Sequence, residues 1–217
     1  MLRYAITDGG FGNGTITPSQ GYASLTQDAR RQRQRQGLLE QVRQLAFQGI
    51  EFVQLREKNL PAGELAELAR ELLAAVTGTG MDLRVLINTR VDVAVAVAAS
   101  GVHLGGTPGE LTPAQVRALF AAKGLPPPVI SKACHTLVEV RQARKAGADL
   151  ILFSPVFGKW VAGVQRVPGA GLDSLTRACE IAEGIPVLAL GGVTSENAEK
   201  CVQAGAAGVA GIHLFTV

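Results

Sequence analysis

Arg56 and Lys58 stand two residues apart in the stretch FVQLREKNL, just past an apolar run formed by Ile50, Phe52, Val53 and Leu55 and just ahead of Pro61. With Gln54 they share one parity of an extended strand, so the three side chains leave the same face. Two cations and an amide at one strand end can clamp a phosphate or a carboxylate. The plainer alternative is a solvated turn. What the other strand ends carry decides between them.

Polar residues recur at the ends of the other apolar runs. Asn88, Thr89 and Arg90 follow RVLI; His103 lies in GVHL, ahead of GGTPGE; Lys132, Cys134 and His135 follow PVIS. Lys159 lies in SPVFGKW after LILF, Gly191 and Gly192 precede a helix-start signal at Thr194, and Gly211, Ile212 and His213 close GVAGIH. The stretch LGGVTSEN offers backbone N–H groups and a helix N-terminus to an anion, although two glycines can also serve only a tight turn. His135 is the histidine placed just past a strand end, where an imidazole can carry a proton near neutrality. His103 sits inside an apolar run, and the expectation is a structural histidine buried among helices. Lys132 would suit a Schiff-base mechanism, but its parity, opposite to Ser131 and Ala133, turns it away from the interior.

These residues need a frame that brings strand ends together. Apolar runs at 4–7, 51–55, 84–88, 101–104, 128–132, 150–153, 186–190 and 208–212 alternate with helical patterns such as Leu38, Val42, Leu45 and Leu65, Leu68, Leu72. Thr112 before Pro113, Thr136 three ahead of Glu139, and Thr194 read as helix starts. Alternating units imply a parallel sheet with right-handed crossovers, and eight of them imply closure into an α/β fold, the (β/α)8 TIM barrel. The whole chain, 1–217, is then one domain. A Gly-rich loop, 9–27, follows strand one, and RRQRQRQ (30–36) reads as the solvated face of a long first helix. HLFTV stands where an eighth outer helix would begin, so that helix is missing or truncated, and helix one or a second subunit must cover the last strand.

The composition agrees. With 47% hydrophobic residues, 5% aromatics and a formal net charge of +3, the chain suits one Ala- and Gly-rich core and offers no nucleic-acid surface. Three cysteines without C-x-x-C spacing read as reduced thiols. MLRYAITDGG is no signal peptide, and VDVAVAVAAS is too short to span a bilayer, so the expectation is a cytoplasmic protein with no membrane partner.

With these pieces placed, the sequence resembles the thiamine-phosphate synthase and thiazole tautomerase (TenI-like) family. The resemblance rests on VQLREK, LINTR, GVHLG, the H-T pair with AGADLILFSPVF, and LALGGVTSENA, and runs from YAITD to GVAGI. It implies a (β/α)8 barrel that handles a thiazole phosphate. Carried over, Gln54, Arg56, Lys58 and Asn88 look like the diphosphate side of a synthase site. Gly192, Gly211 and Ile212 look like the thiazole-phosphate side, joined in the substrate-binding set by Gly171 and Gly191. Lys159 stands in for a lysine usually a few residues further on, and the catalytic histidine falls on His135. The synthase branch uses magnesium held by aspartates, but those positions carry Thr89 and Pro108, and Ala133 replaces a serine. Asp8 and Glu110 are other carboxylates in reach along the chain. The expectation is therefore a metal-independent tautomerase with no cofactor, acting on a phosphorylated thiazole. The alternatives are a synthase with a degenerate or relocated magnesium site, and a phosphate-binding protein without turnover. A homo-oligomer remains open.

Overall fold

The computed structural model describes residues 1–7, 27–161 and 164–215, with backbone alone at 27–28 and 159–166. Eight parallel strands close into a barrel: β1 (Leu2–Ile6), β2 (Phe52–Leu55), β3 (Arg84–Asn88), β4 (Gly101–Leu104), β5 (Val129–Cys134), β6 (Leu150–Phe153), β9 (Val187–Ala189) and β10 (Gly208–Gly211). They neighbour one another in chain order, with β10 pairing β1 to shut the ring. Outside lie α1 (Gln27–Phe47), α2 (Ala62–Thr77), α3 (Val91–Ala96), α4 (Pro113–Ala122), α5 (Leu137–Lys145), α6 (Gly171–Ala182) and α7 (Ala198–Gln203).

Strand parity builds two apolar layers. One face of each strand, Val53 and Leu55, Val85 and Ile87, Val102 and Leu104, Ile151 and Phe153, meets the helices. The other face, Tyr4, Ile6, Phe52, Leu86, Leu150, Leu152, Leu188 and Ala210, fills the barrel itself. Tyr4 stacks on Phe52 at 5.8 Å, and the Arg84 guanidinium lies 5.0 Å over the Phe52 ring, closing the N-terminal end. On α2, buried Leu65, Leu68, Ala69, Leu72 and Val76 recur every three or four residues, which is why this segment is a helix with one face inward. Small residues such as Ala69 and Ala94 let the helices lie close to the strands.

The basic run on α1 is tied to its neighbour, with Arg31 3.9 Å from Glu64 and Arg35 2.6 Å from Glu71 of α2, so it is an exposed, paired face. Thr112 and Thr136 do cap α4 and α5, each within a reciprocal capping box. Thr194 does not. Residues 194–197 form a turn and α7 starts three residues later than a Thr194 cap would place it; in that turn the Asn197 side chain accepts the Thr194 N–H (2.8 Å) and donates to the Gly192 carbonyl (3.0 Å).

Two further features differ from the sequence reading. The segment after β6 contains an antiparallel pair, β7 (Lys159–Val161) and β8 (Val164–Val167), outside the barrel. Among the described residues no helix follows β10. Instead Phe215 packs against both outer core clusters, and with Ile212 it lines a small cavity shared with Leu38, Val42 and Leu45 of α1, so helix one and residues 212–215 cover that side. No described helix is long and apolar enough to cross a membrane. The 9–27 loop and Asp8 lie outside the described residues, apart from Gln27, which opens α1.

Candidate active site

Every strand delivers its end to one cavity at the C-terminal mouth of the barrel. Gln54, Arg56, Lys58, Asn88, His135, Gly191, Gly192, Gly211 and Ile212 all line it, in company with Thr89, Arg90, His103, Ser154 and His213. Two predicted residues stand apart. Gly171 is not among the lining residues, and its N–H is spent on the Val156 carbonyl at 3.0 Å as α6 begins. Lys159 opens β7, and its side chain lies outside the described part of the structure.

The charges of LREK separate by parity. Arg56 and Lys58 turn into the mouth and make no ion pair among the described residues. Glu57, between them, is buried and accepts the Thr7 hydroxyl at 2.7 Å, while Thr7 Oγ1 in turn accepts the Arg56 N–H at 2.8 Å. That knot fixes the backbone from which both cations project. Below them Gln54 Nε2 donates to Asn88 Oδ1 (2.7 Å), and Gln54 Oε1 is buried without a partner among the described residues. A buried amide oxygen left unpaired is costly unless something bound in the cavity donates to it.

Across the mouth, Gly191 and Gly192 take φ of +89° and +66°. A Cβ at Gly191 would sit 2.7 Å from Pro155 Cα, and one at Gly192 2.7 Å from Phe157 Cβ, so both positions need glycine for conformation and for space. The N–H groups of Gly191, Gly192 and Val193 make no hydrogen bond among the described residues. Three consecutive unspent donors beside the cavity are suited to a phosphate.

His135 follows β5 on an exposed turn. Its N–H is held by the Glu139 carboxylate, and its Nδ1 lies 2.7 Å from the Ser154 carbonyl oxygen. The Ser154 hydroxyl lies further off, at 3.3 Å, and a carbonyl can only accept, so in the neutral ring the shorter contact places the proton on Nδ1 and leaves Nε2 as the lone-pair nitrogen. Burial pushes the neighbouring Cys134 thiol up to about 12, which removes it as a nucleophile at neutral pH. Lys132 points away from the cavity, as its parity implied, and pairs with Glu110 at 2.9 Å.

His103 is a correction. It is buried, but on the inner face of the barrel, not among the helices, and it lines the cavity. The signal was available: Val102 and Leu104 on either side are apolar and face the helices, which leaves His103 to the interior. Burial pulls the ring down from 6.5 to about 4, with Glu110 opposing and Lys132 and Arg56 reinforcing. An unfolded histidine therefore binds its proton near pH 6.5 and the folded one only near 4, so between those values the unfolded chain holds more protons. Stability should then fall as pH drops through this window, by ~3 kcal/mol in all. Urea unfolding at about pH 7 and 4.5 checks this: His103→Gln should flatten the difference, and an identical slope in the variant would contradict the assignment.

Thr89 adopts φ +56°, a region that Asp and Asn enter more readily than a β-branched residue. Glu110 is fully engaged, Oε1 accepting from Gly105 N–H (2.8 Å) and Oε2 from Gly106 N–H (2.8 Å) and Lys132. Asp92 is held by both arms of Arg90. Among the described residues no group of three or more histidine, cysteine or acidic side chains is placed to hold a metal.

Comparison with known proteins agrees with this architecture. A family described as "Thiamine monophosphate synthase" matches residues 25–215. The thiamine-phosphate synthase of Moorella thermoacetica is 36% identical over 171 residues, covering 79% of this chain and 77% of the relative. That of Syntrophomonas wolfei is 35% identical over 177 residues, covering 82% and 80%. The solved thiamine phosphate pyrophosphorylase of Pyrococcus furiosus superposes with a TM-score of 0.71 at 27% identity, over 98% of this chain and 85% of that one. A closed eight-stranded barrel, a mouth lined by the strand ends and these matches together assign the chain to the thiamine-phosphate synthase family of enzymes.

Proposed function

We propose that this protein is a metal-independent thiazole tautomerase, which moves a proton on a phosphorylated thiazole with His135 as the proton carrier. The observation that carries this reading is the anchoring of His135 Nδ1–H by the Ser154 carbonyl, which presents Nε2 as a base to the cavity. The unspent N–H groups at Gly191–Val193 take the phosphate, and Arg56 and Lys58 take the second anion of the substrate. Held at both ends, the ring is fixed while a proton leaves one atom for Nε2 and returns to another. Nothing in that cycle needs a cofactor, and the phosphorylated substrate suits a cytoplasmic enzyme.

The names of the relatives favour a second reading, formation of thiamine phosphate with magnesium. Magnesium is held by hard oxygen donors, usually carboxylates together with substrate phosphates. Here Thr89 and Pro108 offer no carboxylate, and Glu110 has both oxygens engaged. Among the described residues this donor set does not fit the ion.

Two measurements test the proposal. With chelator present, the thiazole carboxylate phosphate should isomerise and take up solvent deuterium in D2O; an inert substrate would contradict turnover. Arg56→Ala should weaken binding of the thiazole carboxylate phosphate by ~10-fold or more in calorimetry, since a charged hydrogen bond to its second anion is lost. Equal affinity in the variant would remove Arg56 from the clamp.

A further inference from the structure

The floor of the cavity holds a second histidine in a state complementary to the one at its rim. Tyr4 Oη lies 3.0 Å from Ser131 Oγ, and Ser131 Oγ lies 2.9 Å from His103 Nδ1. Tyr4 and Ser131 are both 0% exposed, so each hydroxyl hydrogen must find its acceptor within this chain of three. One arrangement satisfies every donor: Tyr4 O–H to Ser131 Oγ, Ser131 O–H to His103 Nδ1, and the ring proton on Nε2. If Ser131 donated to Tyr4 instead, the phenolic hydrogen would be stranded. If His103 donated from Nδ1, the Ser131 hydrogen would be. Either arrangement leaves a buried donor unpaired, which is unfavourable.

Burial raises the Tyr4 phenol well above its usual value, so it remains a donor. It also keeps His103 neutral down to about pH 4, against Glu110 and with Lys132 and Arg56. Nε2 of His103 has no partner among the described residues, and the residue lines the cavity. His103 thus offers a neutral N–H, where His135 offers a lone pair. The register sets His103 beside Ser131 on β5, four residues before His135, and both histidines line the same cavity.

We propose that His103 is a second catalytic residue of this site, a neutral imidazole whose Nε2–H donates to the ligand atom that gains negative charge while His135 holds the transferred proton. The inference rests on the proton-transfer reading above. In the step, His135 Nε2 takes a proton from a carbon of the substrate and the C–H electron pair flows into the conjugated ring. It collects on an acceptor atom at the floor, where the His103 N–H meets it; the proton then returns from His135 to the alternative position. Atoms and electrons balance without oxidant or metal. A neutral donor stabilises that charge without surrendering its own proton, which an imidazolium would do readily. Ser131 and Tyr4 act through His103 and are positioning residues.

Nitrogen NMR of 15N-labelled protein and kinetics of two variants test this. His103 should show Nε2 protonated and Nδ1 bare, unchanged between about pH 5.5 and 7.5, and thiazole phosphate should shift its N–H resonance. His103→Gln should lower kcat by ~10²–10³-fold with KM within a few fold. Ser131→Ala, which frees the tautomer, should lower kcat by less and change the His103 nitrogen shifts. A proton on Nδ1, an N–H signal unmoved by thiazole phosphate, or a His103→Gln kcat within about twofold of wild type would each overturn the inference. Should the wild-type protein fail to isomerise the substrate, the functional reading falls, while the tautomer and the ligand-induced shift still decide whether His103 is the floor donor.

Discussion

His135→Ala should lower kcat for isomerisation by ~10²–10⁴-fold, the usual worth of a positioned acid–base group, while thiazole phosphate affinity stays within a few fold. The imidazole contributes its one free nitrogen to proton transfer, whereas binding lies with Arg56, Lys58 and the N–H groups after β9. Because His135 is exposed, its removal uncovers only the Ser154 carbonyl to water. Stability should therefore change by no more than ~0.5 kcal/mol. Steady-state kinetics beside a thermal melt check both halves. An unchanged kcat would exclude His135 as the proton carrier; lost turnover with a lowered melting temperature would mean the residue is structural instead.

Gly191→Ala is the second large effect. The residue sits at φ +89°, and its Cβ would lie 2.7 Å from both Cα and Cβ of Pro155, atoms that cannot rotate aside. Strain at positive φ and overpacking each cost about 1–3 kcal/mol, so the β9–α7 turn must move or the barrel must loosen. Since the Gly191 N–H belongs to the row of three unspent donors, phosphate recognition should suffer together with stability. The expected result is a melting temperature several degrees lower, on the order of 2–4 °C per kcal/mol for a chain of this size, and thiazole phosphate binding weakened by ~10-fold or more. A variant with native melting and native affinity would show that these N–H groups take no part in anion binding.

Much of this was legible in the chain because the barrel writes itself in a period of two. RVLIN and GVHL become β3 and β4 with their sequence boundaries intact. The alternation that buries Val85 and Ile87 against helices also sends Asn88 to the mouth. Arg56 and Lys58 were legible for the same reason. The misses arise where a local competitor outweighs the pattern. Thr194 does not cap α7: Asn197 holds the cap position without a side-chain cap bond, and its amide instead bridges the Thr194 N–H and the Gly192 carbonyl across the preceding turn. KWV and VQRV are too short to advertise a hairpin, and among the described residues they pair only with each other. Gly171 is a glycine for its φ of +83° at the start of α6, a backbone requirement indistinguishable in sequence from a phosphate contact. His103 was misplaced because a histidine in an apolar run looks structural. What distinguishes it is a hydroxyl partner, Ser131, that only strand register brings beside it.

The central claim is metal-free proton transfer by a member of a synthase family. The most direct test is one preparation assayed in two arms. The first offers the pyrimidine diphosphate and thiazole phosphate with magnesium; the second offers the thiazole carboxylate phosphate tautomer with chelator. Metal-free proton transfer predicts isomerisation in the second arm, lost in His135→Ala, and no thiamine phosphate in the first. Robust magnesium-dependent thiamine phosphate in the first arm, with no isomerisation in the second, would contradict it and return the protein to the synthase reaction of its relatives.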